Sequence, residues 1–127
     1  MSGQLEHANF TVSNPEATAA WMTKVFGWHV RWQGAAIAGG HTVHIGSDTQ
    51  YVALYTPPEG ATSGTSSYDT IGGLNHIGVV VDDLDAAEVL VKAQGFTPKN
   101  HADYEPGRRF YFHDHDGIEY ELVQYDA

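Results

Sequence analysis

With 127 residues and 42% hydrophobic content, the chain is long enough for one compact domain or two small halves sharing a core. Its 16 acidic residues outnumber 6 basic ones, and the formal charge of −10 argues against nucleic acid and anionic membrane surfaces as partners. It has no cysteine, which excludes a disulfide, a thiolate ligand or a cysteine nucleophile. What remains open is a neutral or cationic small molecule, or a metal ion.

The first 20 residues lack a basic stretch followed by an apolar run, so no signal peptide is expected. No apolar run approaches the roughly 18 residues a membrane span needs. A cytoplasmic location is the expectation.

Residues 5–12 alternate as a strand, with Ala8, Phe10 and Val12 on one face and His7, Asn9 and Thr11 on the other. Asn14, Pro15 and Glu16 read as a helix start: a capping side chain, a residue suited to the first helical position, and a charge that complements the dipole. The helix is expected to run to Phe26 on a stripe of Ala17, Ala20, Trp21, Met22 and Val25, and to end at Gly27. Strands are expected over 28–33, 41–45 and 50–56, with a turn within 35–40. His41 and His44 are three apart on one strand and so face opposite sides. Residues 57–72 are small, polar and rich in breakers, the composition of a linker.

The pattern then restarts. A strand is expected over 74–81 and a helix from Asp82–Asp83, with Ala86, Val89, Leu90 and Ala93 as its apolar stripe and Gly95 as its close. Further strands are expected over 96–101, 109–113 and 118–124, the last two joined by a turn at 114–117. Leu5-Glu6-His7 and Leu74-Asn75-His76 lie 69 positions apart, and Asn14-Pro15-Glu16-Ala17 falls on Asp83-Leu84-Asp85-Ala86 at the same offset. The chain is therefore a duplication, βαβββ twice: a first module at 1–56, a linker at 57–72 and a second module at 73–127. One such unit cannot bury the concave face of its sheet, whereas two can by facing each other.

Glu121 sits among apolar and aromatic residues on the last strand, where an unpaired carboxylate is costly. Taken singly, a histidine on a strand is more often a hydrogen-bonded structural group than a ligand. The repeat register singles out His7 and His76, and with Glu121 they form the candidate set for one divalent metal ion.

These features resemble the vicinal oxygen chelate superfamily, the glyoxalase, bleomycin-resistance and extradiol-dioxygenase group. The resemblance rests on the first-strand histidine of each half and on the closing Asp114-His115-Asp116-Gly117-Ile118-Glu119-Tyr120-Glu121-Leu122, with His115 where the family usually has proline. It implies an α+β fold in which two βαβββ modules form a curled mixed sheet around a cavity holding a metal and its substrate. It implies His7, His76 and Glu121 as metal ligands. The fourth metal corner falls on Ala53, or Leu54 one residue on, and neither can bind metal. That argues against glyoxalase I or epimerase chemistry.

Two histidines and one carboxylate suit Fe(II), with Mn(II), Ni(II), Co(II) or Zn(II) as other occupants. Extradiol dioxygenases in the superfamily use the same three corners. By resemblance to them, Tyr111, ten residues before Glu121, and His101 upstream of it are the candidate catalytic residues. The first functional reading is a dioxygenase-like metalloenzyme acting on a small molecule with adjacent oxygens. The second is a metal-free, bleomycin-resistance-like protein that sequesters a cationic small molecule, which the charge of −10 suits. Family members are commonly dimers, so a homodimer is expected.

Overall fold

The computed structural model describes residues 1–64 and 67–126; Thr65 and Ser66 of the expected linker and Ala127 at the end of the expected second module lie outside the described residues. The chain divides into two compact units, Met1–Ser63 and Gly64–Ala127. Each carries one helix and one mixed four-stranded sheet, so the class is α+β and each unit reads βαβββ. Neither sheet is closed.

In the first unit, strands β1 (His7–Thr11), β2 (His29–Ala35), β3 (His41–Gly46) and β4 (Tyr51–Thr56) line up in the order β1-β4-β3-β2, with β1 parallel to β4. Helix α1 (Pro15–Phe26) starts where Asn14 Oδ1 accepts from the Ala17 N–H at 3.1 Å. It stops at Gly27, whose φ of 72° places it in the left-handed region and lets its N–H reach Thr23 O at 3.0 Å. The register pairs Val43 with Leu54 and Ile45 with Val52, so these four share one sheet face. They are buried there, and α1 packs on β3 and β4 with Trp21, Met22 and Val25 buried. The opposite face carries His7, Asn9, His44, Tyr51 and Ala53.

In the second unit, β5 (Ile77–Val80), β6 (Lys99–Tyr104), β7 (Gly107–His113) and β8 (Glu119–Tyr125) take the order β5-β8-β7-β6, again with the first strand parallel to the last. Helix α2 (Leu84–Ala93) is capped by Asp83, whose Oδ1 accepts from Ala86 N at 3.0 Å. The Leu84 N–H donates to Gln124 Oε1 at 2.8 Å, tying the helix start to β8. Phe110, Phe112, Tyr120 and Leu122 form the fully buried face. Arg109, Tyr111, His113, Glu119 and Glu121 take the other by strand parity.

Three expectations are corrected here. The buried stripe of α2 is Leu84, Ala87 and Val91, spaced i, i+3, i+7, whereas Val89 is 66% and Leu90 40% exposed. Asp85, Glu88 and Lys92 mark the charged side, and the Leu84 N–H to Gln124 bond ties the start of the helix to β8. In α1, too, Ala17 and Ala20 are exposed while Thr18 and Ala19 are buried. The sixth strand runs later than expected, over Lys99–Tyr104, and its pairing with β7 shifts register between Lys99 and Ala102, where Asn100 adopts φ of 55°. Among the described residues no helix is long and apolar enough to cross a membrane.

Candidate functional site

One face of the second sheet gathers Arg109, Tyr111, His113, Glu119 and Glu121. Gly78 of β5 and Tyr111 of β7 are the register partners of Glu121 on either side. His76 lies one residue before β5 begins, and its Nε2 is 3.0 Å from Glu121 Oε1. Its Nδ1 has Asn75 Oδ1 at 2.6 Å, an acceptor, so that nitrogen keeps its proton and Nε2 is the one turned to the carboxylate. The other carboxylate oxygen, Oε2, accepts from Arg109 Nη1 at 3.0 Å. The Arg109 guanidinium also lies over the Tyr104 ring, 4.6 Å from its centroid.

The fit of this pair to a metal can be judged from its spacing. Two donors each about 2.1 Å from one ion and at right angles to each other stand about 3.0 Å apart. The separation of His76 Nε2 and Glu121 Oε1, an ordinary ion-pair length, also equals that of adjacent ligands on an octahedral ion. Arg109 leaves only one oxygen of Glu121 for coordination, and hydrogen bonding of a ligating carboxylate in this way is usual at metal centres. Among the described residues no group of three or more His, Asp or Glu side chains is already arranged to hold a metal ion.

Tyr111 stands edge-on to His76, with ring centroids 5.8 Å apart. Burial, then the charge of Glu121 and a hydrogen bond to it, push its phenol pKa upward, so it stays a donor at neutral pH. Burial would lower the pKa of Arg109, but its hydrogen bond to Glu121 and the surrounding negative groups leave it raised.

His101 is not part of this site. It lies on the helix side of the sheet, with Nε2 3.0 Å from Glu88 Oε1 of α2 and its ring stacked on the buried Phe110 at 5.7 Å. The register shift between Lys99 and Ala102 inserts one residue and turns His101 away from the face that holds Tyr111 and Glu121. The catalytic role expected for it is withdrawn.

Glu119 was missed by sequence reasoning. It is two residues before Glu121 on the same strand and shares its face, a signal that period-two reading could have found. Its side chain is 9% exposed; it accepts a hydrogen bond from the Tyr68 hydroxyl and has His76 Nδ1 at 3.7 Å and His113 Nε2 at 3.5 Å. His113 is therefore half-buried against a carboxylate.

In the first unit, His7 opens β1, two residues before Asn9, the partner of Ala53. His76 likewise precedes Gly78, the partner of Glu121, by two residues. Ala53 is thus the counterpart of Glu121 and carries no group that could bind a metal. His7 Nδ1 lies 2.9 Å from Glu6 Oε1, so in both units the residue before the histidine offers an oxygen to Nδ1. His7 stacks on Tyr51 at 4.8 Å, Tyr51 on His44 at 4.8 Å, and Trp32, 52% exposed, tilts against His44 at 5.3 Å. Burial first, then the neighbouring His7 and Arg31, lower the His44 pKa. His41 has its Nε2 2.5 Å from Glu16 Oε1 of α1, on the face opposite His44.

Solved structures share the whole fold. A glyoxylase/bleomycin resistance protein/dioxygenase domain from Frankia sp. EAN1pec superposes with a TM-score of 0.81 at 20% identity, covering 99% of this chain and 93% of that one. A glyoxalase family protein from Enterococcus faecalis gives 0.74 at 19% identity, covering 94% and 96%. A mutant of the fosfomycin resistance protein FosX from Listeria monocytogenes, complexed with Mn(II) and 1S,2S-dihydroxypropylphosphonic acid, gives 0.75 at 20% identity, covering 97% and 93%. No curated protein matches the sequence significantly. The family model of the Glyoxalase/Bleomycin resistance protein/Dioxygenase superfamily matches residues 4–122, which takes in both βαβββ units, and the chain belongs to that superfamily.

Proposed function

We propose that the protein is a small-molecule metalloenzyme in which His76 and Glu121 are ligands of one divalent ion that chelates a substrate through two adjacent oxygens, with His7 as the third ligand candidate. The observation that carries this reading is the 3.0 Å spacing of His76 Nε2 and Glu121 Oε1, with the far nitrogen and the far oxygen each engaged by another group. His7 enters on the repeat register and on its Nδ1 being held as that of His76 is. Fe(II) suits two histidines and one carboxylate, and Mn(II), as in the FosX complex, is the first ion to try. The ion would act as a Lewis acid that acidifies a bound hydroxyl.

The chain's own groups supply the rest. Asn75 and Arg109 orient the two ligands of the second unit. Tyr111, kept protonated, donates a hydrogen bond to a substrate oxygen beside Glu121. Ala53 provides no base where the duplicated position could have held one, which favours dioxygenase-like chemistry over glyoxalase I chemistry. The test is elemental analysis of the purified protein followed by a catechol screen with Fe(II) and Mn(II). Copurified or tightly bound metal with ring cleavage supports the reading; absence of both overturns it.

A second reading keeps the protein metal-free. Arg109 already neutralises Glu121, and the chain's charge of −10 suits capture of a cationic molecule. Under that reading added metal leaves the thermal midpoint unchanged.

A further inference from the structure

We propose that Glu119 is a positioning residue for His76, held in place by the Tyr68 hydroxyl; this rests on the metal reading above and deepens it. Glu119 is more buried than the ligand candidate Glu121, 9% against 14% exposed. No lysine or arginine among the described residues pairs with it; its ionic neighbours are His76 and His113. A carboxylate so placed is costly unless its environment uses its charge. That charge falls on two imidazoles, His113 with Nε2 at 3.5 Å and His76 with its Nδ1 edge at 3.7 Å, and the Nδ1 of His76 also has Asn75 Oδ1 at 2.6 Å.

Asn75 Oδ1 accepts the Nδ1 proton at 2.6 Å and the Glu119 charge beyond it favours that proton's place, so Nε2, beside Glu121, is the nitrogen that would bind a metal. A nearby carboxylate also makes the imidazole a stronger donor to a metal, the role that supporting carboxylates play behind ligating histidines. In the first unit the carboxylate at the Nδ1 edge is that of the adjacent Glu6, 2.9 Å from His7. The residue at the same register position of the first unit is Tyr51, which stacks on His7 and places no charge beside it. Tyr68 completes the device: it comes from the stretch ahead of β5, is 58% exposed, and donates its hydroxyl proton to Glu119 Oε2. A surface tyrosine thereby anchors the carboxylate that steers a ligand.

The experiment measures Mn(II) affinity by calorimetry and the Co(II) absorption spectrum for wild type, Glu119→Gln, Glu119→Asp and Tyr68→Phe, with the metal-free thermal midpoint of each. Glu119→Gln should weaken Mn(II) about 10- to 100-fold and alter the Co(II) band. Glu119→Asp should recover part of the affinity, and Tyr68→Phe should fall between Asp and wild type. Unchanged Mn(II) affinity and spectrum in a folded Glu119→Gln protein overturn the proposal, and if that variant does not fold, unchanged values in Glu119→Asp and Tyr68→Phe do so. Should wild type itself bind no Mn(II), the metal reading fails separately. Crystals of the metal-free variants then decide Glu119: a His76 ring displaced from Glu121 supports positioning, and a retained 3.0 Å contact refutes it.

Discussion

Arg109 Nη1 and Glu121 Oε2 are paired at 3.0 Å, with side chains only 15% and 14% exposed. The same carboxylate faces His76 through its other oxygen. One buried charge is thus shared between a permanent cation and an imidazole. A divalent ion would displace only the second of these partners.

If that ion binds, the wild-type thermal midpoint rises when Mn(II) is added. At a hundredfold excess over Kd the stabilisation is about 2.7 kcal/mol, on the order of 10 °C for a chain of this size. His76→Ala and Glu121→Gln should each abolish the rise while leaving a folded protein. Thermal scans with and without Mn(II) check this.

Arg109→Met should lower the metal-free midpoint, because Glu121 loses its only permanent counter-charge among the described residues. Added Mn(II) should then raise the midpoint more than in wild type, since the ion supplies the missing charge and no guanidinium repels it. An equal or smaller shift in the variant would count against an ion at Glu121.

Tyr68 offers a pH test. The hydrogen bond to Glu119, with burial and that carboxylate's charge, pushes its phenol up to about 12, against about 10 in the unfolded chain. A raised folded pKa means the contribution is complete below pH ~10 and is lost as pH climbs through the folded value. Ultraviolet titration of wild type minus Tyr68→Phe should therefore show one phenol ionising about two units late, and Glu119→Gln should bring it down.

Gly46 is closed to any side chain. A Cβ there would stand 2.2 Å from Gln50 O and 2.5 Å from Tyr51 Cα, both backbone atoms that cannot step aside. Gly46→Ala should cost about 2–3 kcal/mol by overpacking. Gly78 has open space at the same test and should accept alanine without loss. Denaturant unfolding of the two variants gives the comparison.

On α2, Leu84→Ala should cost about 2–4 kcal/mol, because Leu84 is 3% exposed in the core. Val89→Lys, on the exposed side of the same helix, should leave stability within about 0.5 kcal/mol. Reversal of this order would move the buried face back to the stripe read from periodicity.

Local features were legible in the residues themselves. Asn14, Pro15 and Gly27 bound α1 because caps act over one turn, and the recurrence of Leu-x-His before each capped helix disclosed the duplication. The apolar surroundings of Glu121 marked it as the candidate acid, and the family resemblance drew attention to Ala53, its counterpart in the first unit. The start of α2 is tied to the sheet by Gln124, forty residues away. A one-residue shift between β6 and β7 removed His101 from the site, because strand parity depends on a partner the strand itself does not encode. Arg109 and Tyr68 gained their roles only when folding brought them to Glu121 and Glu119. Sequence dictates what each short stretch can form; the pairing of distant stretches dictates which side chains meet, because hydrogen bonds and charges act over a few ångströms whatever the separation along the chain.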